Sequence, residues 1–107
     1  MIRPFVALIA FVAAAATLAA GGEYKVIIKD HVFVPATIEV PAGEKLVLIV
    51  ENQDATPEEF ESHSLKREKI IAGGATARIK LGPLKAGEYK FFGEFNEKTA
   101  QGTLVVK

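Results

Sequence analysis

The sequence contains no cysteine, and this absence excludes several kinds of chemistry. No disulfide can form, so the stability of the folded chain must come from core packing. No thiolate is available as a metal ligand, and a cysteine thiolate is what makes a type 1 (blue) copper centre. A phosphate-binding loop is also missing, because Gly73-Gly74 lacks the lysine and the following helix that such a loop needs.

Charge of one sign is not in excess either. The chain has 13 basic and 13 acidic residues, and loss of Arg3 with the N-terminal segment leaves a domain of about one negative charge. No basic stripe is interleaved with aromatic residues, so nucleic acid is not expected as a partner. Ser62 and Ser64 flank His63, but side chains adjacent in sequence do not by that fact form a nucleophile–base pair.

The N-terminal segment has the pattern of a secretory signal peptide. Arg3 supplies a positive n-region, and the apolar run at residues 5–16 is short for a membrane span. Small residues at 19–22 offer a cleavage region, so we predict a signal peptide at residues 1–21 and one domain at residues 22–107. The mature form then has no transmembrane span. An uncleaved anchor is the alternative.

The rest of the chain favours short strands separated by glycine and proline turns. Alternating or β-branched runs predict strands at residues 24–29, 37–40, 45–51, 70–71, 75–81, 88–92 and 102–106. The charged segment 58–69 is ambiguous between a short helix and an irregular strand pair. This spacing argues for an all-β antiparallel sandwich of about seven or eight strands rather than a βαβ fold.

Three stretches, in this order, resemble the cupredoxin-like family. They are Phe33-Val-Pro-Ala-Thr-Ile-Glu-Val-Pro-Ala-Gly43, Leu46-Val-Leu-Ile-Val-Glu-Asn52, and the final hairpin from Gly87-Glu-Tyr-Lys-Phe-Phe to Gly102-Thr-Leu-Val-Val106. The resemblance implies a Greek-key β-sandwich that covers nearly all of residues 22–107.

In blue-copper members of that family the ligands are a histidine, a cysteine, a second histidine and a methionine. The first position falls near Glu58 or Glu59, and the other three fall near Gly93, Asn96 and Ala100. None of the four ligand types is present. The resemblance therefore implies a cupredoxin fold without a type 1 blue-copper centre.

A narrower resemblance involves Thr56-Pro-Glu-Glu-Phe-Glu-Ser62, Lys66-Arg-Glu-Lys69 and Gly93-Glu-Phe-Asn-Glu97. These segments are similar to the periplasmic cupredoxin-like components of bacterial iron-uptake systems of the Efe and Ftr types. The resemblance implies a periplasmic location, carboxylates in place of copper ligands, and two partners: an inner-membrane iron permease and a periplasmic iron-binding protein. Asn96 departs from the histidine expected there.

The candidate metal ligands form two groups of acidic residues with one histidine. They are Glu58, Glu59, Glu61, His63, Glu94 and Glu97. In a Greek-key sandwich the loop after the central strand and the last hairpin loop lie at the same end, so the groups can converge. On an extended segment Glu59, Glu61 and His63 share a face and Glu58 points away. The alternatives are a solvated acidic surface, or neutralisation by the basic residues of segment 66–69.

Two functions follow as hypotheses. The first is a periplasmic accessory protein of iron uptake that binds an Fe or Cu ion through carboxylates and assists iron oxidation or delivery to a permease. The second is a metal-free module that docks onto a periplasmic partner through segment 58–69. Because no second metal site is visible in the sequence, a ferroxidase acting alone is disfavoured and enzymatic activity is not assigned.

Overall fold

The computed structural model describes residues 22–107. The signal peptide expected at residues 1–21 lies outside the described residues, so that prediction stays a prediction. Across residues 22–107, no helix has the length and apolar character needed to cross a membrane.

The described chain forms two sheets. In chain order the elements are β1 (Glu23–Lys29), β2 (Val32–Val34), β3 (Thr37–Val40), β4 (Leu46–Asn52), β5 (Glu58–Ser62), β6 (Arg67–Ile71), β7 (Thr76–Leu81), β8 (Gly87–Gly93), a 3₁₀ turn (Glu94–Asn96) and β9 (Gln101–Val106). One sheet has the order β2-β1-β4-β7, and the other has the order β3-β9-β8-β5-β6.

This architecture confirms the predicted all-β sandwich and differs from it in detail. The strand β3 has the predicted bounds, and the ambiguous segment 58–69 belongs to the β5–β6 hairpin. The described residues hold nine strands rather than seven or eight, because Val32–Val34 forms a short strand and Glu58–Ser62 forms the first strand of the hairpin. Two ladders, β1–β4 and β3–β9, are parallel, so neither sheet is purely antiparallel.

The core lies between the sheets and centres on three phenylalanines. Phe33, Phe60 and Phe91 come from β2, β5 and β8, and each is at most 3% exposed. The rings of Phe33 and Phe91 meet edge to face at 4.9 Å, while Phe60 and Phe91 stack at 5.1 Å. These offset and edge contacts are the favoured aromatic geometries. Both strands that bound the candidate site, β5 and β8, are therefore fixed from the inside.

Asn52 fixes the loop that leads into β5. Its side chain is fully buried, and its Nδ2 donates to the carbonyl oxygens of Thr56 at 2.9 Å and Ile71 at 3.1 Å. Its Oδ1 accepts from the Asp54 backbone N–H at 3.0 Å. One side chain thus satisfies backbone groups at both ends of the β5–β6 hairpin, which sets where β5 begins.

Replacing Asn52 by alanine is expected to lower the free energy of unfolding by about 2 kcal/mol, because buried backbone groups lose their partners. Urea denaturation of the metal-free protein measures this loss. Asn52→Asp is the matched comparison, since it keeps an acceptor for the Asp54 N–H but removes the donors. A loss below about 0.5 kcal/mol for Asn52→Ala would show that water replaces the side chain at little cost.

Candidate metal centre

The strand β5 separates its glutamates by face. Successive side chains of a strand point to opposite sides. Glu58, Phe60 and Ser62 point inward and are buried, whereas Glu59 and Glu61 lie on the outer face of the five-stranded sheet and are partly exposed. The polar group of Ser62 is satisfied, because its Oγ donates to the carbonyl of Lys90 at 2.6 Å. The sequence-predicted carboxylates of β5 are therefore split between the interior and the surface.

Two neighbouring segments bring further carboxylates to that outer face. Glu68 of β6 stands directly opposite Glu61 in the hairpin register. Glu94 follows β8, which pairs with β5 through Glu61 and Phe92. The ligand atoms of one group all lie within 4.8 Å of one another, and we call this group the carboxylate cluster: Glu59, Glu61, Glu68 and Glu94.

These spacings match one coordination sphere. Metal–oxygen bonds of about 2.0–2.6 Å place opposite ligand atoms about 4–5 Å apart. The four carboxylates of the cluster come from three segments, β5, β6 and the turn after β8. Sets of oxygen ligands suit hard cations, and an added imidazole extends the choice toward Fe and Cu(II).

The electrostatics of the cluster favour a positive partner. Partial burial, followed by hydrogen bonding to Glu68 and Glu94 and by their negative charges, raises the pKa of Glu59 to about 7. Hydrogen bonding to Glu94 is the largest influence that raises the pKa of Glu61, with partial burial and the charges of Glu94 and Glu68 adding to it. The raised pKa of Glu59 means that its proton is held to a higher pH than that of an ordinary glutamate, and a cation would compete with that proton.

The basic residues near the cluster do not neutralise it. Within residues 22–107 no lysine or arginine forms an ion pair with the four carboxylates. The guanidinium of Arg67 donates instead to the carbonyl oxygens of Lys80 and Leu65. Lys69 stands opposite the inward-facing Phe60, on the other side of the hairpin from the cluster.

The other sequence-predicted residues lie in different places. His63 is at the rim, with its Nδ1 3.9 Å from Glu61 Oε2, and its exposed ring lies against Phe92 with centroids 5.5 Å apart. Glu97 follows the 3₁₀ turn, is exposed, and does not belong to the cluster. The predicted set thus contributes Glu59, Glu61 and Glu94 to the cluster, with His63 within reach of its edge.

Glu68 was missed because its neighbours in sequence are basic. It reads as one acidic residue in a positive run, Lys66-Arg-Glu-Lys69. A hairpin with a four-residue loop at 63–66 pairs Ser62 with Arg67, and therefore Glu61 with Glu68. Opposite residues of an antiparallel pair share a face. The sequence therefore indicates Glu68 as a partner of Glu61 only if segment 58–69 is a hairpin and not a helix.

Glu58 occupies the end of the sandwich, between the sheets. It is 2% exposed, and its Oε1 accepts from the backbone N–H groups of Phe95 at 2.8 Å and Glu59 at 2.9 Å. Its Oε2 accepts from Asn96 Nδ2 at 2.8 Å. Nearby, the Gly93 N–H donates to the Ala100 carbonyl at 2.9 Å. We call the group of Glu58, Gly93, Asn96 and Ala100 the closed pole.

Comparison with known proteins decides the family. A model of the cupredoxin-like domain matches residues 3–106. The chain belongs to the cupredoxin-like family. It is also 52% identical over 84 residues to an uncharacterized protein of Rickettsia prowazekii (strain Madrid E), covering 78% of this chain and 67% of that one.

Solved structures show the same fold at low identity. The metal-binding domain of the Cu(I)-exporting P-type ATPase CopA of Streptococcus pneumoniae D39, solved with Cu(I), superposes with a TM-score of 0.73 at 15% identity, covering 87% of this chain and 94% of that one. Auracyanin A, a blue copper protein of Chloroflexus aurantiacus, gives 0.68 at 15% identity, covering 79% and 98%. At these identities the likeness concerns the fold alone.

A type 1 copper ion does not fit this cupredoxin-like protein. The closed pole gathers residues that the family resemblance places at the blue-copper ligand positions, but it offers a carboxylate and an amide in place of thiolate, imidazole and thioether. Space is lacking as well. A Cβ on Gly93 would lie 2.6 Å from Glu58 Cδ and 2.7 Å from Ala100 Cβ. A cysteine at this position would therefore collide with the structure that is present.

Proposed function

We propose that this cupredoxin-like protein is a periplasmic accessory protein of iron uptake that binds one Fe or Cu ion at the carboxylate cluster. In this role it assists iron oxidation or delivers iron to a membrane permease, with a periplasmic iron-binding protein as a second partner. Family membership supports a metal-binding or electron-transfer type of role. The resemblance to the Efe- and Ftr-type components supports the periplasmic location and the link to iron.

One observation carries the proposal. Four carboxylates from three segments present ligand atoms within 4.8 Å of one another, and within residues 22–107 no lysine or arginine pairs with them. Like charges held this close cost free energy unless protons or a cation neutralise them. Oxygen ligands and the exposure of Glu68 and Glu94 suit an ion that must be loaded and released rather than sealed in.

Calorimetric titration of residues 22–107 with Fe(II) under anaerobic conditions, with Mn(II) and with Cu(II) tests the proposal. We expect one ion per chain, and we expect the double variant Glu59→Gln/Glu94→Gln to bind at least about a hundredfold more weakly, about tenfold for each lost ligand. Glu44→Gln/Glu88→Gln is the matched control, because it removes the same charge from exposed carboxylates outside the cluster. Equal affinity for the two double variants would reject the site.

A metal-free docking module is the second candidate, and the closed pole favours it. The Glu58 carboxylate of the closed pole is already held by hydrogen bonds, one of them from Asn96, and Ile70 is 61% exposed on the hairpin formed by β5 and β6. In that role segment 58–69 contacts a periplasmic partner without an ion. Capture of the partner from periplasmic extract in the presence of chelator, abolished by Ile70→Asp, would favour docking over metal binding.

A further inference from the structure

The buried Glu58 carboxylate joins parts of the chain that are far apart in sequence. It lies at the start of β5 and accepts hydrogen bonds from Phe95 and Asn96, which are 37 and 38 residues away. We infer that this carboxylate is an internal substitute for a metal ion: it ties β5 to the turn after β8 by hydrogen bonds, at the positions where the family resemblance places the copper ligands. The inference rests on the fold and on these contacts, and it does not depend on metal binding at the carboxylate cluster.

N–H donors surround the negative carboxylate of Glu58, as acceptor ligands surround a positive metal ion. Two backbone N–H groups converge on Oε1 and one amide N–H meets Oε2, all at 2.8–2.9 Å. A buried carboxylate is tolerated only when such donors replace water. Asn96 is the residue that makes this possible, because its amide supplies a donor and remains neutral.

The two small residues of the closed pole make room for the carboxylate. The Glu58 side chain occupies space that any Cβ on Gly93 would enter, and the Cβ of Ala100 forms the opposite wall. Ala100 is fully buried, and its Cβ would lie 2.7 Å from a Cβ on Gly93. The small residues Gly93 and Ala100 therefore leave the space that the Glu58 carboxylate fills.

The same contacts place Glu94 and make Glu58 a positioning residue for the cluster. The N–H of Phe95, the residue directly after Glu94, is held by Glu58 at 2.8 Å. On the opposite face of β5, Glu59 and Glu61 then meet the Glu94 carboxylate. This part of the inference rests on the proposed function, whereas the hydrogen-bonded closure itself does not.

Exchanging the acid and the amide between positions 58 and 96 tests whether the hydrogen bond from Asn96 to Glu58 holds the closed pole together. Asn96→Asp sets two carboxyl groups against each other, and we expect the melting temperature of the chelator-treated protein to fall by roughly 10 °C. Glu58→Gln is milder, about 5 °C or less, because the new amide keeps an oxygen for the two N–H groups and Asn96 can rotate its amide. In Glu58→Gln/Asn96→Asp the pair is complementary again, so the double variant should melt above Asn96→Asp alone.

An additive result, with the double variant melting below Asn96→Asp, would overturn the inference and leave Glu58 as a filler of space. Hydrogen exchange of the Phe95 amide gives a second measure: it should be fast in Asn96→Asp and protected again in the double variant. Mn(II) titration of the same proteins separates the two proposals. If the double variant recovers its melting temperature but binds no Mn(II), the inference about Glu58 and Asn96 stands and the proposed metal site is rejected.

Discussion

Replacing Glu59 by glutamine will stabilise the metal-free protein above neutral pH and will weaken its binding of metal by at least about tenfold. Both effects come from the crowding of carboxylates, which destabilises the metal-free protein and attracts a cation. Glu59 lies among Glu61, Glu68 and Glu94, and its pKa is raised to about 7. Loss of the Glu59 proton therefore costs free energy in the folded protein, and the ionised carboxylate can then bind a cation.

The direction of the pH dependence follows from this raised pKa. The unfolded chain loses the Glu59 proton near 4.5 and the folded protein near 7, so the folded state holds more protons between these values. The contribution of Glu59 to stability is fully present below about pH 4.5 and is lost as the pH rises through about 7. Metal binding has the reverse trend, since protons compete with the ion, and should tighten over the same window.

Urea denaturation in chelator at about pH 5 and about pH 8 measures the first effect. The wild type should lose more stability than Glu59→Gln between the two conditions, and the variant should be the more stable protein at the higher pH. Glu44→Gln serves as the control, because Glu44 is exposed and lies outside the cluster. A Glu59→Gln variant that is less stable than the wild type at the higher pH would contradict the proposed charge repulsion.

Adding one methyl group at Gly93 will cost about 3 kcal/mol or more of unfolding free energy. A Cβ there would meet Glu58 Cδ and Oε2 at 2.6 Å and Ala100 Cβ at 2.7 Å. The carboxylate is held by three donors and Ala100 is fully buried, so neither neighbour can move aside without breaking other contacts.

Thermal and urea denaturation of Gly93→Ala measure this loss. Gly82→Ala is the matched control, because its Cβ would meet nothing within 4 Å and its backbone is not left-handed. We expect the control to be neutral or slightly stabilising. A Gly93→Ala protein as stable as the control would show that the closed pole yields readily and that Glu58 is not fixed.

The strands could be predicted where burial and polarity agree. Residues 37–40 alternate apolar inside and polar outside, and β3 has the predicted bounds. The strand β5 breaks that agreement, because two of its three inward residues, Glu58 and Ser62, are polar and find buried partners. An alternation of apolar and polar residues cannot show hydrogen bonds made 28 to 38 residues away, and for this reason the sequence of segment 58–69 is ambiguous.

The candidate site was predictable only as far as the strand alternation goes. Alternation separates Glu58 from Glu59 and Glu61, and the common end of the sandwich brings Glu94 near them. Glu68 depends on the register of the hairpin, and the exclusion of Glu97 depends on the 3₁₀ turn at Glu94–Asn96. Both features are local, but the alternation of side chains along one strand does not reveal either of them.

The position of a bound ion tests the central claim most directly. Mn(II) added in small steps to ¹⁵N-labelled residues 22–107 broadens the amide signals of residues near the ion. We predict that signals of Glu59, Glu61, Glu68 and Glu94 disappear first and that those of the far end of the sandwich, such as Gly43, persist. Uniform broadening, or loss centred on another part of the surface, would contradict a metal site at the carboxylate cluster.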